Sequence, residues 1–571
     1  MKLVPVAVVG GGGGGTDPIS GSIDLLSSLL TAIPLCHHFR PKWSLVRAKL
    51  SDLQSLLAEF SHLPFSASNP LSLDLLRSLS HTLSDALSLA DLCQTPSLPA
   101  GKLKTQSELD SVLTRLDRHI ADAGVLVKSG VLLQCTAPAP LASSNPSPSS
   151  FKREAVRAES RNLITRLQIG GHDSKNSAMD SLLGLLQEDD KNVMVAVAQG
   201  VVPVLVKLLD LGSDLEVKEK AVAAISRVST VESSKHLLIA EGLLLLNHLL
   251  RVLESGSGFA REKACVALRA LSFSKENAWA IGCRGGISSL LEICVAGTPG
   301  SQAFAAGVLR NLAAFREIRE NFVEENAVVV LLGLAASGTA LAQENAFGCL
   351  HNLVSNDENL KLLVVREKGI ECLKDYWDSS PSDNRGLEVA IELLTQLASY
   401  QPIGEVLVSD GFIPRLCTAL SCGAMGVRVA AALCIYELAL SPKTKKEIGE
   451  CGSINVLAKM LDGKAIEEKE AAAKGLSSLL QYAGNRRMFR KEDGGVRSAV
   501  QLLDPSILNL DKRYPILVLA SLTHSKKCRK RMAAAGACDY LQKLADMDIE
   551  GAKKLYGSIR RGNIWNVFST P

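Results

Sequence analysis

The chain has 571 residues with a formal net charge of +4, and 47% of the residues are hydrophobic while 21% are charged. It is therefore too long for one compact core and too apolar for a disordered protein. Aromatic residues make up only 4%, and the abundant Leu and Ala favour helices over strands. Fourteen cysteines without a CxxC pair indicate buried thiols in a reducing compartment, so we expect a cytoplasmic or nuclear protein.

The first residues combine a short apolar run, Leu3 to Val9, with glycines from Gly10 to Gly15. The apolar run is too short for a signal peptide, and the sequence predicts a disordered, Gly-rich N-terminus over residues 1–19. The glycines do not form a phosphate-binding loop, because the Lys-Ser or Lys-Thr pair of such loops is missing. No later stretch holds the roughly 20 uninterrupted apolar residues that span a bilayer.

Residues 20–132 show helical periodicity in four stripes of leucine, and pairs of prolines mark the breaks between them. This pattern predicts a four-helix bundle over 20–132. Residues 133–150 are rich in Pro, Ser and Ala, which predicts a flexible linker. The densest group of metal-ligand types is Cys36-His37-His38, but neighbouring helical residues point in different directions and a zinc site needs four converging ligands. We therefore expect no metal, cofactor or catalytic residue.

A short marker, a glycine followed by apolar residues and a Leu-rich run, recurs from about residue 200 onward. Its glycines are Gly200, Gly242, Gly285, Gly369, Gly411, Gly452, Gly494 and Gly536. Neighbours are 41–43 residues apart, except that Gly285 and Gly369 are 84 apart, with Asn326 near the midpoint. Gly and Asn are the residues that best tolerate φ > 0 at a helix end, so we expect a turn at each marker. The period predicts about nine repeats within residues 151–550, followed by a basic C-terminal tail over 551–571.

Each unit carries a second signature of the form A-x-x-A-L-x-N-L, as in Ala264–Leu271. Its apolar residues at i, i+3, i+4 and i+7 give one buried helix face that only a neighbouring unit can cover. The two signatures resemble the armadillo repeat, which implies an all-α, right-handed armadillo-type α-solenoid (superhelix) preceded by the helical bundle. The order of segments resembles plant armadillo proteins with an N-terminal helical domain like that of U-box ubiquitin ligases. The linker leaves no room for a U-box and no Cys-Pro-Ile beginning occurs, which argues against intrinsic ligase activity.

The resemblance implies a groove in which the Asn of A-L-x-N-L binds the backbone of an extended peptide, since an amide offers a donor and an acceptor together. The equivalent positions here are Arg227, Ala270, Asn311, Asn352, Gln396, Glu437, Ser478 and Ser521. At each of them, groove contact and cap-like packing between helices are the alternatives. Three consecutive amides favour groove contact for Asn311, Asn352 and Gln396.

A nuclear-import receptor is the sharper form of this hypothesis. Importin-alpha pairs each groove Asn with a Trp one helical turn earlier, and the corresponding residues here are Gly307 and Gly348. Arg310 and His351, beside the asparagines, predict a groove that repels basic cargo. Cargo recognition of the import type is therefore not expected.

The C-terminal end is basic: from Lys443 onward, 24 Lys and Arg stand against 14 Asp and Glu. This excess predicts an acidic partner, such as an acidic protein segment, anionic lipid or nucleic acid. The densest run comprises Lys526, Lys527, Arg529, Lys530 and Arg531. A nuclear-localisation signal or phosphate-facing patch and a solvated helix face are its alternatives, and the aromatics expected for nucleic-acid binding are missing from it.

The sequence as a whole predicts a non-enzymatic scaffold or adaptor that binds other proteins through extended segments in the groove. One alternative is a substrate adaptor in ubiquitination, acting through a separate ligase. Another is a nuclear or membrane-associated regulator that uses the basic C-terminal end. Neither a firm nucleic-acid signal nor a firm membrane signal is present.

Overall fold

The computed structural model describes residues 18–564, apart from 97, 100, 134–147, 211, 213, 380–382 and 493. All regular secondary structure within these ranges is helical, which confirms the predicted all-α fold class. Most of the predicted Gly-rich N-terminus and most of the predicted linker lie outside the described residues. The chain divides into two compact units, Met1–Leu249 and Leu250–Pro571.

The N-terminal helices are α1 (Pro18–Ala32), α2 (Arg40–Ser61), α3 (Pro70–Gln94) and α4 (Lys102–Ser129). Helix α1 packs against α3, α2 packs against α4, and α3 packs against α4. The predicted leucine stripes supply their common core, in which Trp43, Leu50, Leu79 and Leu116 are at most 1% exposed. Proline at the first position and a hydrogen bond from the Leu71 amide to Asn69 Oδ1 (3.0 Å) fix the start of α3.

Among the described residues, the stretch Pro18–Leu35 is long and apolar enough to cross a membrane, by length and composition alone. Three pairs of helices separated by a sharp bend would also be long and apolar enough if each pair formed a single span. The sequence does not predict a membrane span there, because Ser and Thr interrupt the apolar residues of α1. In the structure the Leu26 and Leu29 side of α1 is buried in the bundle, and Ser22 Oγ lies 3.0 Å from Ser80 Oγ of α3.

Two helices, α5 (Pro148–Ile169) and α6 (His172–Glu188), precede nine three-helix units in the described residues. The first three units are α7–α9 (Asp190–Ala198, Val201–Leu208, Leu215–Ser229), α10–α12 (Lys235–Ala240, Gly242–Ser255, Gly258–Leu271) and α13–α15 (Lys275–Gly282, Gly286–Ala296, Pro299–Ala313). The next three are α16–α18 (Arg319–Glu324, Ala327–Ser337, Ala340–Val354), α19–α21 (Glu358–Arg366, Gly369–Asp378, Asn384–Ala398) and α22–α24 (Gln401–Ser409, Phe412–Ala419, Met425–Leu438). The last three are α25–α27 (Pro442–Glu450, Ser453–Met460, Ile466–Leu479), α28–α30 (Ala483–Phe489, Gly495–Gln501, Arg513–Ser521) and α31–α33 (Lys526–Ala534, Ala537–Asp546, Ala552–Ile564).

From the second unit onward, the third helix of each unit stacks on the third helix of the next, in the series α12, α15, α18, α21, α24, α27 and α30. The last unit departs from the predicted boundary at residue 550. Its third helix, α33, occupies the beginning of the segment assigned to a basic tail and packs against α30, α31 and α32, with Leu555 and Ile559 at most 2% exposed. The cations Lys553, Lys554, Arg560 and Arg561 favoured a basic tail, although Leu555 and Ile559 have the i, i+4 spacing of one helix face.

In four units, a side chain at the start or within the first helix caps the long helix that precedes the unit, which is α6 for the first unit and a third helix for the others. Asn192, Asn277 and Asn485 donate from Nδ2 to the carbonyl oxygens of Leu185, Leu271 and Leu479, at 3.1, 3.0 and 3.0 Å. The Ser234 hydroxyl donates to the Val228 carbonyl in the same way (2.7 Å). The last carbonyls of a helix lack an i+4 partner within the helix, and these side chains supply one. The carbonyls of Val228 and Leu479 also accept from the amides of Val231 and Tyr482, both at 3.2 Å.

The turn between the first and second helix of each unit has the left-handed backbone that the markers predict. Positive φ is found at Gly200, Gly242, Gly285, Asn326, Gly411, Gly452, Gly494 and Gly536, between 52° and 99°. The prediction is off by one residue in the fifth unit, where Lys368 has φ 65° and Gly369 is the first residue of α20. Gly369 is needed there for space, since a Cβ would lie 2.7 Å from the Val364 carbonyl oxygen.

Because a side chain at positive φ is strained, Lys368→Gly should raise the free energy of unfolding by about 1 kcal/mol. Hydrogen exchange across α19 and α20 measures the change, because it resolves single units of a repeat array. The matched control is Lys374→Gly inside α20, which should lower the stability by about 1 kcal/mol because glycine disfavours a helix interior. A destabilising Lys368→Gly would show that the lysine side chain makes a compensating contact.

Candidate functional site

Two of the predicted groove amides hold neighbouring units together. Asn311 Nδ2 donates to the Arg269 carbonyl (3.1 Å) and to Ser272 Oγ (2.9 Å), and Asn352 Nδ2 donates to the Arg310 carbonyl (2.8 Å). Each bond joins the third helix of one unit to the third helix of the unit before it. At these two positions the structure shows the packing alternative, which leaves the two amide oxygens as the groups available to a ligand.

The same position serves the same purpose elsewhere. Arg227 Nε donates to the Leu186 carbonyl (2.9 Å), while its Nη2 pairs with Asp190 (2.6 Å). Ser478 Oγ donates to the Ala439 carbonyl (3.3 Å). A bond to the preceding long helix therefore accounts for Arg227 and Ser478, whereas Ser521 Oγ donates to the Val518 carbonyl of its own helix (2.6 Å).

Removing one hydrogen bond between units should lower the stability by a small but measurable amount. Asn352→Ala should lower the free energy of unfolding by about 1 kcal/mol, the usual net contribution of one hydrogen bond. Gln396→Ala is the matched control, because Gln396 makes no side-chain hydrogen bond among the described residues and its loss should leave the stability unchanged. Hydrogen exchange across α15 and α18 in both variants tests this, because a long repeat array does not unfold in one step. An equal loss for Gln396→Ala would contradict the difference between the two amides.

Gln396 lies on a pocket of about 390 Å³ formed by the third helices α18, α21, α24 and α27, here called the central pocket. It is lined by His351, Glu388, Glu392, Thr395, Gln396, Met425, Gly426, Val429, Ala430, Leu433 and Glu467. The central pocket thus combines three carboxylates with the apolar side chains of Met425, Val429, Ala430 and Leu433. The lining contains no Lys or Arg.

The central pocket changes the electrostatic prediction for the groove. Arg310 does not stand free, because its Nη1 lies 3.3 Å from Glu344 Oε1, which also lies 3.5 Å from Arg385 Nε. His351 stands beside the three carboxylates of the central pocket. The expectation of a groove that repels cations therefore does not hold at the central pocket. Glutamates of neighbouring helices lie beside Arg310 and His351, and a comparison of sequence positions does not show these contacts.

Gly307 and Gly348 have a packing role. A Cβ at Gly307 would lie 3.2 Å from Arg269 Cδ, and one at Gly348 would overlap the Arg310 guanidinium. The arginine of one third helix therefore lies across the glycine of the next. A Trp at either position would have to displace that arginine, so the apolar slots of importin-alpha are replaced by arginine side chains.

Beyond the central pocket, Lys474 of α27 lies between two tyrosines. Its Nζ is 4.5 Å from the ring centroid of Tyr436 (α24) and 5.9 Å from that of Tyr514 (α30), and the two rings meet edge to face at 6.2 Å. Glu437, another predicted groove residue, lies 3.9 Å from Lys474 Nζ. Near this cluster, burial is the main cause that raises the pKa of the Glu470 carboxyl above its usual value.

The predicted basic run forms most of α31, in the last unit. Cys528 and Met532 are buried, which fixes the inner side of this helix. Arg529 donates to the Thr523 carbonyl. Lys526, Lys527 and Lys530 are exposed and make no salt bridge within the described ranges. The run therefore divides into Arg529, which is bonded to the backbone, the half-buried Arg531 and three solvent-facing lysines.

The Cys36-His37-His38 group does not converge. Cys36 Sγ donates to the Ala90 carbonyl (3.5 Å), and burial raises the pKa of its thiol to about 11. His38 Nε2 lies 3.2 Å from the Thr95 carbonyl oxygen. Across the described part of the chain, no group of three or more His, Cys, Asp or Glu side chains is arranged to hold a metal ion.

Two family models match parts of the chain. The first, described as a domain of unknown function (DUF7032), covers residues 20–131. The second, the armadillo/beta-catenin-like repeat, covers residues 189–230, which is the first three-helix unit.

The chain is also similar to curated proteins and to a solved structure. It is 27% identical to U-box domain-containing protein 8 of Arabidopsis thaliana over 187 residues (33% of this chain, 48% of that protein). It is 23% identical to Vacuolar protein 8 of Schizosaccharomyces pombe over 193 residues (34% and 35%). It is 31% identical to U-box domain-containing protein 12 of Arabidopsis thaliana over 108 residues (19% and 16%). The crystal structure of an engineered protein superposes with a TM-score of 0.60 at 23% identity, covering 71% of this chain and 98% of that one.

The matches span about half or less of each curated relative's own length. The solved structure supports the all-α solenoid fold alone, because its sequence identity is low. The two family models and the repeat geometry agree on the order of the parts. The chain carries a DUF7032 N-terminal domain followed by armadillo repeats, with distant similarity to Arabidopsis U-box proteins.

Proposed function

We propose that the chain is a non-enzymatic scaffold that binds an extended segment of another protein along its third helices, in the region of the central pocket. The observation that carries this proposal is the unused hydrogen-bonding capacity of the pocket. Gln396 has no side-chain partner in the described part of the chain, and His351 Nδ1 is buried without one. A peptide backbone offers the donors and acceptors that such groups require.

Regular stacking supports the same proposal. The third helices follow one another at a constant repeat, so the outer side chains of α18, α21 and α24 form one continuous surface. Repeat proteins use such surfaces for extended ligands. An extended strand gains about 3.3 Å per residue, so a short segment reaches across several stacked helices.

A photocrosslinking amino acid at position 396 tests the proposal in the full chain, in the cell type that expresses it. The control is the same amino acid at Asp375, which is exposed on the second helix of the same unit. We expect covalent partners at position 396 and none at position 375. Crosslinks formed only at position 375 would move the binding surface away from the third helices.

A second candidate is a substrate adaptor in ubiquitination, favoured by the similarity to two U-box proteins. In this form the N-terminal bundle would dock a separate ligase while the repeats hold the substrate. Co-purification of a U-box or RING ligase with the full chain, lost when residues 20–131 are deleted, would support it. Unchanged ubiquitination of every crosslinked partner in cells without this chain would reject it.

The exposed lysines of α31 favour a nuclear or membrane-associated location for the scaffold. Replacing Lys526, Lys527 and Lys530 by Gln should then shift a fluorescent fusion protein away from that compartment. Arg529 is kept, because its contact with Thr523 is structural. An unchanged distribution would reject this role and leave the lysines as a solvated helix face.

A further inference from the structure

The central pocket holds more negative charge than its surroundings neutralise. Helices α21, α24 and α27 together carry six Glu and four Lys or Arg. Arg385 is shared between Glu388 (3.0 Å) and Glu344 (3.5 Å), and Arg428 pairs with the buried Glu468 (2.7 Å). Glu392 and Glu467 have no salt-bridge partner in the described residues, although both line the pocket.

Carboxylates on neighbouring helices repel one another, and a cation placed between them removes this cost. The apolar side chains that line the pocket can contact the aliphatic stem of a Lys or Arg side chain. Met425, Val429 and Leu433 form an apolar surface below the carboxylates, with Met425 44% exposed. Lys and Arg bury their aliphatic stems on such surfaces while the charged end stays with polar groups.

A cation of the chain itself is already bound on the same helices. Lys474 lies on α27, the helix that also carries Glu467, and its Nζ is 4.5 Å from the centroid of the Tyr436 ring and 3.9 Å from Glu437. Ammonium groups bind to aromatic faces through the negative potential of the ring.

We propose that the central pocket binds a Lys or Arg side chain of an extended, basic protein segment, with Glu392 and Glu467 at its charged end and Met425, Val429 and Leu433 along its stem. This rests on the proposed function, because it takes the groove ligand to be a protein segment. Nucleic acid does not fit the pocket, since its phosphates would face the same carboxylates.

Fluorescence anisotropy with the full chain tests the proposal. The probe is a fluorescein-labelled peptide of alternating Lys and Thr, and the reference is the same peptide with Glu in place of Lys. We expect the Lys peptide to bind more tightly than the Glu peptide, with an affinity that falls as salt is added. Glu392→Gln with Glu467→Gln should weaken the Lys peptide by about tenfold or more, because it removes two charge-assisted contacts.

The matched control is Glu358→Gln with Glu371→Gln, which removes the same charge from exposed positions on α19 and α20. This control should leave the affinity unchanged. An equal loss for both double variants would overturn the proposal in favour of a general charge effect, and tighter binding of the Glu peptide would overturn it outright. Failure of the Lys peptide while position 396 still crosslinks a partner would retain the groove scaffold and reject only its preference for basic segments.

Discussion

Phe347→Ala should lower the free energy of unfolding by about 3–5 kcal/mol, as is usual when a large aromatic side chain is removed from a packed core. Phe347 lies in α18 and is fully buried. Its ring meets Tyr376 of α20 edge to face, with centroids 4.8 Å apart and an interplanar angle of 64°. The substitution therefore leaves a cavity between two neighbouring units and removes an aromatic pair as well.

The measurement has to resolve single units, because long repeat arrays do not unfold in one step. Hydrogen exchange followed by mass spectrometry should show faster exchange in α18, α20 and α21, with smaller changes in distant units. Phe259→Ala is the control, since Phe259 is 54% exposed on α12. Similar losses for the two variants would mean that burial of Phe347 does not stabilise the junction between the fourth and fifth units.

Asn485→Ala should lower the free energy of unfolding by about 1–3 kcal/mol, because it removes two buried hydrogen bonds between helices. Asn485 is fully buried, and its Nδ2 donates to the carbonyl oxygens of Lys445 (2.7 Å) and Leu479 (3.0 Å). One amide thus ties α28 to both α25 and α27. Urea denaturation with hydrogen exchange across these helices measures the loss.

Asn485→Asp separates the loss of the donor from the loss of volume. A carboxylate there would face two carbonyl oxygens, and burial would raise its pKa in the folded state. A raised folded pKa means stability that is present at low pH and lost as the pH rises above about 4, the pKa of an unfolded Asp. Asn359→Ala, an exposed position on α19, is the control and should change stability by less than about 0.5 kcal/mol. A pH-independent Asp variant would show that the donor is not what matters.

The repeat architecture could be predicted from the sequence because it rests on a backbone requirement. A left-handed turn accepts few residue types, so Gly and Asn recur wherever the chain must make it. Lys368 is the exception. The repeat pattern predicted the left-handed turn at Gly369, but Lys368 has the positive φ, and Gly369 is required because a Cβ there would clash with Val364.

The central pocket could not be predicted in the same way. Its carboxylates, Glu388, Glu392 and Glu467, come from two helices about 75 residues apart, and no local motif connects them. The single position compared across the repeats contains Asn311 and Asn352, but their Nδ2 groups donate hydrogen bonds to the preceding unit. A comparison of all outer positions of the third helices would have shown the excess of Glu on α21 and α27.

The caps donated by Asn192, Asn277 and Asn485 have a consequence for cutting the chain. A fragment that ends at the last residue of a third helix loses the side chain that closes that helix, although it contains whole repeats by sequence. A fragment that runs on through the next first helix keeps it. The independently stable segment of this protein is therefore offset from the sequence repeat by one helix, and deletion series should end at residues such as Gly282 or Phe489 instead of Leu271 or Leu479.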